Sequence, residues 1–414
     1  MSEWITCEFG SLYAEPSRNG LTKPKRVRGH GVKFVNMGEI FRHDRLKNLE
    51  CDRVPLAENE KSALLKNDDL LFARQSLVLA GAGKCSIFLG DIEEVAFESH
   101  IIRVRLDQNK ANPQFYYYLF RSPQGRSLIE AIVEQGAGAS GVRSSDLQSL
   151  MIPYTSLPQQ KAIARILSSL DDKIELNRRM NETLEAMARA IFKDWFVDFG
   201  PTRAKMSGRA AYLPEHLWSL FPGAIDPETG IPTGWKLSRL DELVVLQRGF
   251  DLPKSKRQNG NFPVIAASGF NGTHNEYMVE PPGVTTGRSG VLGKVFYIQE
   301  KFWPLNTSLW IKQYIDTTPI YAYFLLQNID FSSFNAGSAV PTLNRNHIHN
   351  LFVPKPNIEI IREFSSLAEN LFNLQYRNSK SSDDLADLRD RLLPKLMSGE
   401  IRVKDAEKLV EEAV

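Results

Sequence analysis

An internal repeat constrains this chain more than any other feature. Asp146-Leu-Gln-Ser-Leu-Met-Ile-Pro153 aligns with His347-Ile-His-Asn-Leu-Phe-Val-Pro354 at an offset of 201 residues, and both segments end an apolar run at a proline. Upstream, Pro113-Gln-Phe-Tyr-Tyr-Tyr-Leu119 meets Pro319-Ile-Tyr-Ala-Tyr-Phe-Leu325, Gly83-Lys84 meets Gly293-Lys294, and Arg74 meets Arg288. Glu3-Trp4 with Phe9-Gly-Ser-Leu12 matches Gly234-Trp235 with Leu240-Asp-Glu-Leu243. The offset falls steadily from 231 to 201 while the order of elements is kept. One scaffold used twice, with loops of different length, produces that pattern.

Each repeat runs into a long amphipathic segment. From Pro158, well placed at a first helical position, the seam reads Ile163, Leu167, Leu170, Ile174, Asn177, Asn181, Leu184, Ala188, Ile191 and Trp195. Alternating steps of four and three give a period of 3.5, so a coiled-coil strand of about 38 residues, roughly 57 Å long, is expected. The second copy gives Phe364, Ala368, Leu371, Gln375, Asn378, Ser382, Leu385, Arg389, Leu392 and Leu396. Both seams are apolar at the ends and polar in the middle. Buried polar residues are costly unless partnered, so matched polar belts point to mutual antiparallel pairing rather than to two unrelated amphipathic helices. Leu170, Ile174, Asn177, Asn181, Leu184, Leu371, Asn378 and Leu385 are the expected pairing residues.

Before its helix, each repeat reads as short apolar strands broken by turns, with one or two short helices such as 113–120 and 319–328. The expected fold class is α+β: two α+β globules separated by two long helices in an antiparallel coiled coil, with a pseudo-two-fold repeat. The expected boundaries are a first globule at 1–155, a first long helix at 156–200, and a linker at 201–230, which is rich in Pro and Gly. A second globule follows at 231–355, a second long helix at 356–400 and a tail at 401–414.

Composition enters as exclusion. The chain has 414 residues, 42% hydrophobic and 24% charged, which is ordinary for a folded protein. Its formal net charge of +2 does not by itself call for a polyanionic partner. No basic stretch precedes an apolar core near Met1, and no run of about 18 apolar residues occurs, so a cytoplasmic protein is expected. Cys7, Cys51 and Cys85 lack metal-ligand spacing, which argues against a disulfide framework or a structural zinc site.

Catalytic motifs fail one by one. Gly136-Ala-Gly-Ala-Ser-Gly141 fits GxGxxG but follows an expected helix, 127–133, rather than a strand, and its counterpart from Gly337 lacks the pattern. Gly81-Ala-Gly-Lys84 resembles the end of a P-loop, but Val78 stands where the first glycine belongs and Cys85 where Ser or Thr belongs. Asp194 and Asp198 read as the solvated face of a helix end, not a metal pair. No Asn-Pro-Pro-aromatic tetrad of the kind that grips a flipped base is present. The expectation is no catalytic residue and no metal.

The surviving signal is cationic. Arg18, Lys23, Lys25, Arg26, Arg28 and Lys33 fall in a stretch without an acidic residue, and Arg248, Lys254, Lys256 and Arg257 occupy the matching stretch of the second repeat. Such clusters suit phosphate contact; a solvated loop is the plain alternative, and the paired placement favours phosphate. Arg74 and Arg288 sit in strand-turn settings from which a guanidinium reads guanine bidentately, although an arginine that only braces the turn fits as well. Lys84 and Lys294 follow them, and Arg143 lies opposite Asn344, Arg345 and His347 in a second loop.

These residues together resemble the specificity subunit of type I restriction-modification systems, over nearly the whole chain. The resemblance is carried by Ala188-Arg-Ala-Ile-Phe-Lys-Asp-Trp-Phe-Val-Asp-Phe199 and Leu393-Pro-Lys-Leu-Met-Ser-Gly-Glu-Ile401, which close the two helices. Ile231-Pro-Thr-Gly-Trp235, Thr286-Gly-Arg-Ser-Gly290 and Trp303-Pro-Leu-Asn-Thr-Ser-Leu309 add to it. It implies a noncatalytic chain whose globules each read one half of a split sequence in double-stranded DNA. It further implies that the helices hold the globules at fixed separation and dock two modification subunits bringing S-adenosylmethionine. A restriction (translocase) subunit would bring ATP and magnesium. A stand-alone bivalent DNA-binding regulator and a coiled-coil assembly adaptor are the alternatives; a methyltransferase with built-in recognition domains would need a cofactor fold, which no segment supplies.

Overall fold

The computed structural model describes residues 4–136, 138–334 and 341–412. The chain divides into two compact units, Met1–Leu176 with Ser381–Val414, and Asn177–Lys380. Each unit therefore combines one globule with the near half of one long helix and the far half of the other.

In the first unit, Ile5–Glu8 pairs antiparallel with Met151–Tyr154, so the globule is closed at its own ends. Between them lies a five-stranded sheet ordered Tyr13–Asn19, Ile101–Leu106, Asp69–Ala73, Cys85–Phe88, Arg45–Leu46, beside a three-stranded sheet of Asp52–Val54, Val32–Val35 and Val95–Phe97. The helix Pro113–Arg121 starts where Asn112 accepts from the Phe115 amide at 2.9 Å, with Pro113 supplying a fixed φ at the first turn. Phe115 through Phe120 are all buried. A short helix apolar on every side has to be enclosed, and this one is.

The second unit repeats the plan. Lys236–Arg239 pairs with Phe352–Lys355. A sheet ordered Val244–Arg248, Ser308–Tyr314, Gly283–Gly287, Val295–Ile298 stands beside one of Gly269–His274, Phe262–Ala266 and Trp303–Pro304. In both small sheets the middle strand pairs antiparallel with one neighbour and parallel with the other. Thr318 and Pro319 start the buried helix Pro319–Gln327 as Asn112 and Pro113 start its counterpart. The helix Met37–Arg42 has no equivalent among the described residues of the second globule and accounts for part of the longer first one.

The long helices are Leu157–Phe192, 36 residues, and Ile358–Ser398, 41 residues, so at 1.5 Å per residue they run about 54 and 61 Å. Their pairing is antiparallel, as the seam predicts. In the first unit Leu170 and Ile174 share a core with Leu385, Leu392 and Leu396. In the second, Phe192 lies 5.0 to 5.6 Å from the rings of Phe196, Tyr321, Phe324 and Phe364, and Leu371 packs against the same core. Leu184 is buried. The polar belt is bonded to itself: Asn177 Nδ2 donates to the Asn378 carbonyl at 3.3 Å, Asn378 Nδ2 to Asn181 Oδ1 at 3.0 Å, and Asn181 Nδ2 to Ser379 Oγ at 3.0 Å.

Helix ends explain the two motifs that close them. A π-turn at Lys193–Val197 leads to Phe199 in the left-handed region (φ 54°), and a Cβ on Gly200 would stand 2.0 Å from Asp194 Oδ1, so a larger residue there has to displace the Asp194 carboxylate from its bond to Tyr212. Trp235 packs on Phe196 and Phe199 at that end. The second helix ends at Gly399 (φ 75°), beneath the Trp4 indole. Trp4 and Trp235, matched in the repeat, thus each meet the end of the other repeat's helix.

Residues 201–230, expected as a linker, are folded. Gly200–Met206 and Glu215–Trp218 are short helices, and Leu217 and Phe221 enter the second core, with Phe221 5.1 Å from Trp195. Burial of these apolar side chains outweighs the local turn bias of the prolines. The tail also folds: Val403–Glu411 is a helix that places Ala406 and Val410 in the first core.

Candidate nucleic-acid interface

The cationic segments picked out by sequence are brought to one edge of each globule by the same backbone hydrogen bonds. In the first globule the Leu21 amide donates to Phe97 O at 2.8 Å and Ser99 N to Leu21 O at 3.0 Å, which seats the basic loop beside residues 97–100. Arg74 N donates to His100 O at 2.8 Å, Ala73 N to Lys84 O at 2.9 Å, and Val142 N to Arg74 O at 2.9 Å. The second globule repeats the set. Phe250 N donates to Pro304 O at 2.8 Å, Asn306 N to Phe250 O at 2.9 Å, Arg288 N to Thr307 O at 2.8 Å, Gly287 N to Lys294 O at 3.3 Å, and Leu343 N to Arg288 O at 2.8 Å. Each edge therefore carries, side by side, a basic loop, an arginine turn, a lysine and the loop of Arg143 or of Asn344 and Arg345.

Within the basic loops the cations divide into anchors and free ends. Lys25–Val27 and Lys254–Lys256 are matching one-turn 3-10 helices, each preceded by a proline. The arginine that follows is an anchor in both. Arg28 donates to Asn36 Oδ1 at 2.8 Å, Asp52 Oδ2 at 3.2 Å and Lys23 O at 3.0 Å. Arg257 donates to the Asn271 carbonyl and, at 3.0 Å, to its Oδ1. Lys23 is tied to Glu60 at 2.7 Å. Lys25, Arg26, Lys254 and Lys256 are exposed, with no side-chain partner among the described residues. Lys33, expected with the phosphate-contact set, is instead buried, its ammonium held by Asp91 at 2.9 Å. Arg18 lies on the sheet strand Tyr13–Asn19 rather than in the loop.

Around the arginine turns, the Arg74 guanidinium is exposed and without a partner among the described residues, whereas Arg288 is half-buried with an Nη 3.3 Å from Asn306 O. Lys84 reaches Asp44 at 3.0 Å and Phe41 O at 3.1 Å. Burial would push the Asp44 carboxyl up, but Arg121 and Lys84 hold it below the usual carboxylate range. Lys294 is exposed. Arg143 pairs with Glu134 at 2.7 Å and Arg248 with Asp251 at 3.6 Å, both exposed pairs that contribute little and are easily exchanged for phosphate. Asn344 caps a short helix by accepting from Asn346 N at 3.0 Å, and its side-chain nitrogen has no partner among the described residues; Arg345 and His347 are exposed.

Sequence reasoning missed an apolar loop at this edge. Leu77 is 89% and Val78 63% exposed, directly after Arg74. The signal available was length: Arg74 and Lys84 stand ten apart where Arg288 and Lys294 stand six apart.

The failed motifs have structural counterparts. The glycine-rich 136–141 segment joins the short strands Glu134–Gln135 and Ser140–Gly141, with Ala137 and the counterpart at 337–340 outside the described residues. Gly83 is followed by the strand Cys85–Phe88, not by a helix that could cradle phosphate. Asp194 accepts from the Tyr212 hydroxyl at 2.8 Å and Asp198 from Lys193. Among the described residues no group of three or more His, Cys, Asp or Glu side chains could hold a metal, and no helix is long and apolar enough to cross a membrane. The three cysteines are free.

The family model described as the type I restriction modification DNA specificity domain matches this chain twice, over residues 21–186 and 232–377. The chain belongs to that family. The two matches coincide with the two repeats, each running from the basic loop or opening tryptophan into its long helix. Among named members, the chain is 24% identical to the type I restriction enzyme HindI specificity subunit of Haemophilus influenzae, over 97% of this chain and 100% of that one. It is 28% identical to the MjaIX specificity subunit of Methanocaldococcus jannaschii over 70% of each. In fold it is similar to the crystal structure of the type I restriction-modification S subunit from M. genitalium, with a TM-score of 0.59 and 19% identity over 95% of this chain and 96% of that one. As a type I specificity subunit it is a noncatalytic, DNA-recognising component of a restriction-modification complex.

Proposed function

We propose that each globule of this specificity subunit reads one half of a bipartite target in double-stranded DNA through its cationic edge, and that the paired helices set the unread spacer. The observation that carries the reading is the duplicated backbone hydrogen-bond set that holds Arg74 and Arg288 in the same turn. A reader built twice on one scaffold, with different side chains in the loops, suits two half-sites of different sequence. Lys25, Arg26, Lys254 and Lys256 supply sequence-independent phosphate contact, and Arg74, Arg288, Asn344 and Arg345 are the residue types that read base edges.

In this reading the chain holds no cofactor. Two modification subunits dock along the helices and bring S-adenosylmethionine, and a restriction subunit brings ATP and magnesium. The complex works in the cytoplasm, where the DNA is. The test is sequencing of methylated sites in cells carrying Arg288→Ala. A base-reading Arg288 contributes about 1 to 3 kcal/mol of discrimination, so one half-site relaxes at one position while the other stays intact. Equal weakening of both halves would make Arg288 a brace of its turn.

A further inference from the structure

The first globule carries a cationic cleft beside its outer strand pair. Tyr13–Asn19 and Ile101–Leu106 pair so that Arg18 stands opposite Arg103 and Glu15 opposite Arg105. With Lys61, Ser62 and Lys66 from the neighbouring turn they line a cleft of about 620 Å³. Its carboxylates do not match its cations. Glu15 Oε1 is shared by Arg103 at 2.6 Å and Arg105 at 2.7 Å, while Asp69 holds Arg105 with two bonds of 2.7 Å. Lys61 is paired with Glu58 at 2.9 Å, and Arg18 and Lys66 have no carboxylate partner for their side chains among the described residues.

Two guanidinium donors beside this cleft are left over. The Arg103 side chain is only 3% exposed, and its Nε has no hydrogen-bond partner among the described residues; nor has the buried Nε of the half-buried Arg18. Burial and then the neighbouring Arg105 charge hold Arg103 below the usual arginine range, as crowding of like charges requires. An enclosed guanidinium with an idle donor is costly unless an acceptor arrives, and its planar fork suits tetrahedral oxyanions. The scaffold does not demand this arrangement. On the matching strands of the second globule, Gln247 faces Trp310 where Arg18 faces Arg103.

We propose that this cleft is a phosphate-binding site. The phosphate comes either from the DNA backbone, since the Lys23–Glu60 pair ties the turn above the cleft to the basic loop, or from a free polyphosphate. The site stands whether or not the half-site reading does, because its ligand chemistry is read from the cleft alone.

The test uses the full chain with Arg18→Gln and Lys66→Gln, both at the accessible rim, and Arg103→Gln as the deeper variant. Tripolyphosphate binding is followed by the shift in thermal unfolding midpoint, and DNA affinity is measured across salt concentrations. Loss of at least tenfold in tripolyphosphate affinity with an unchanged DNA salt slope identifies a free polyphosphate. A salt slope lowered by about 0.9 for each lost phosphate contact identifies the DNA backbone. If the rim variants fold, as judged by unchanged circular dichroism, and move neither quantity, the site is wrong. DNA binding that is absent altogether, with tripolyphosphate binding intact, would overturn the half-site reading and leave this one standing.

Discussion

Replacing Asp171 by Ala should open the first unit at its helix pair. Asp171 Oδ1 accepts from Arg389 Nη1 at 2.6 Å and its Oδ2 from the Tyr118 hydroxyl at 2.6 Å, so one carboxylate joins both long helices to the buried helix of the globule. The side chains of Asp171 and Arg389 are 8% and 16% exposed. Removing one partner of a buried pair costs about 3 to 5 kcal/mol. Arg389 retains the exposed Asp390 at 2.8 Å, which places the ionic part near the lower end, and the orphaned Tyr118 hydroxyl adds about 1 kcal/mol. The expected loss is about 3 to 4 kcal/mol. Substituting all three groups by apolar residues, Asp171→Leu with Arg389→Leu and Tyr118→Phe, should bring stability back to within about 1 kcal/mol of the parent, because no charge or hydroxyl is then stranded. Native-state hydrogen exchange on peptides spanning 157–176 and 381–398 reads the opening free energy directly. A change below about 0.5 kcal/mol for Asp171→Ala would refute the argument that this carboxylate holds the pair together.

The second unit should lose stability on mild acidification. The Leu246 amide donates to His349 Nε2 at 2.9 Å, and burial, opposed by Asp241, keeps the imidazole below its usual range, so stability present above the unfolded histidine pKa is lost as pH falls through the folded one. The urea midpoint followed by tryptophan fluorescence should drop between pH 7 and 5, and a His349→Gln variant should flatten that dependence. Lys25→Gln with Arg26→Gln should lower the salt slope of DNA binding by about 1.8 with the fold intact, whereas Arg28→Ala should destabilise the loop; equal salt slopes in parent and double variant would remove these two from the phosphate contacts. Adding one turn to both helices, after Arg179 and after Arg377, lengthens each by about 6 Å against about 3.4 Å per base pair. Methylated sites should then show a spacer one or two pairs longer, and an unchanged spacer in an active complex would end the ruler reading.

What could be read from sequence follows the range of the interaction involved. The repeat, the strand-then-helix order and the antiparallel seam were legible because apolar spacing and matched polar belts are local patterns, and Asn177, Asn181 and Asn378 do bond to one another across the pair. The arginine turns were legible for the same reason. Division of the cations was not. Arg28 and Arg257 look like their neighbours Arg26 and Lys256 in sequence, and only the folded positions of Asn36, Asp52 and Asn271 make them anchors. Lys33 finds Asp91, 58 residues away, across a sheet. Residues 201–230 read as a linker because Pro and Gly density is a local signal, whereas the burial of Leu217 and Phe221 depends on Trp195 and a core assembled from distant segments. The split of each long helix between two compact units leaves no mark in a continuous 3.5-residue period.

The central claim is that the two globules are separate readers of one split target, and replacing one of them tests it most directly. Residues 1–155 would be exchanged for the corresponding segment of another specificity subunit, leaving both long helices in place, and methylated sites would be sequenced genome-wide with and without the hybrid. The account predicts a new sequence in one half-site, with the other half-site and the spacer length unchanged. An active hybrid that alters both halves, or neither, would contradict it.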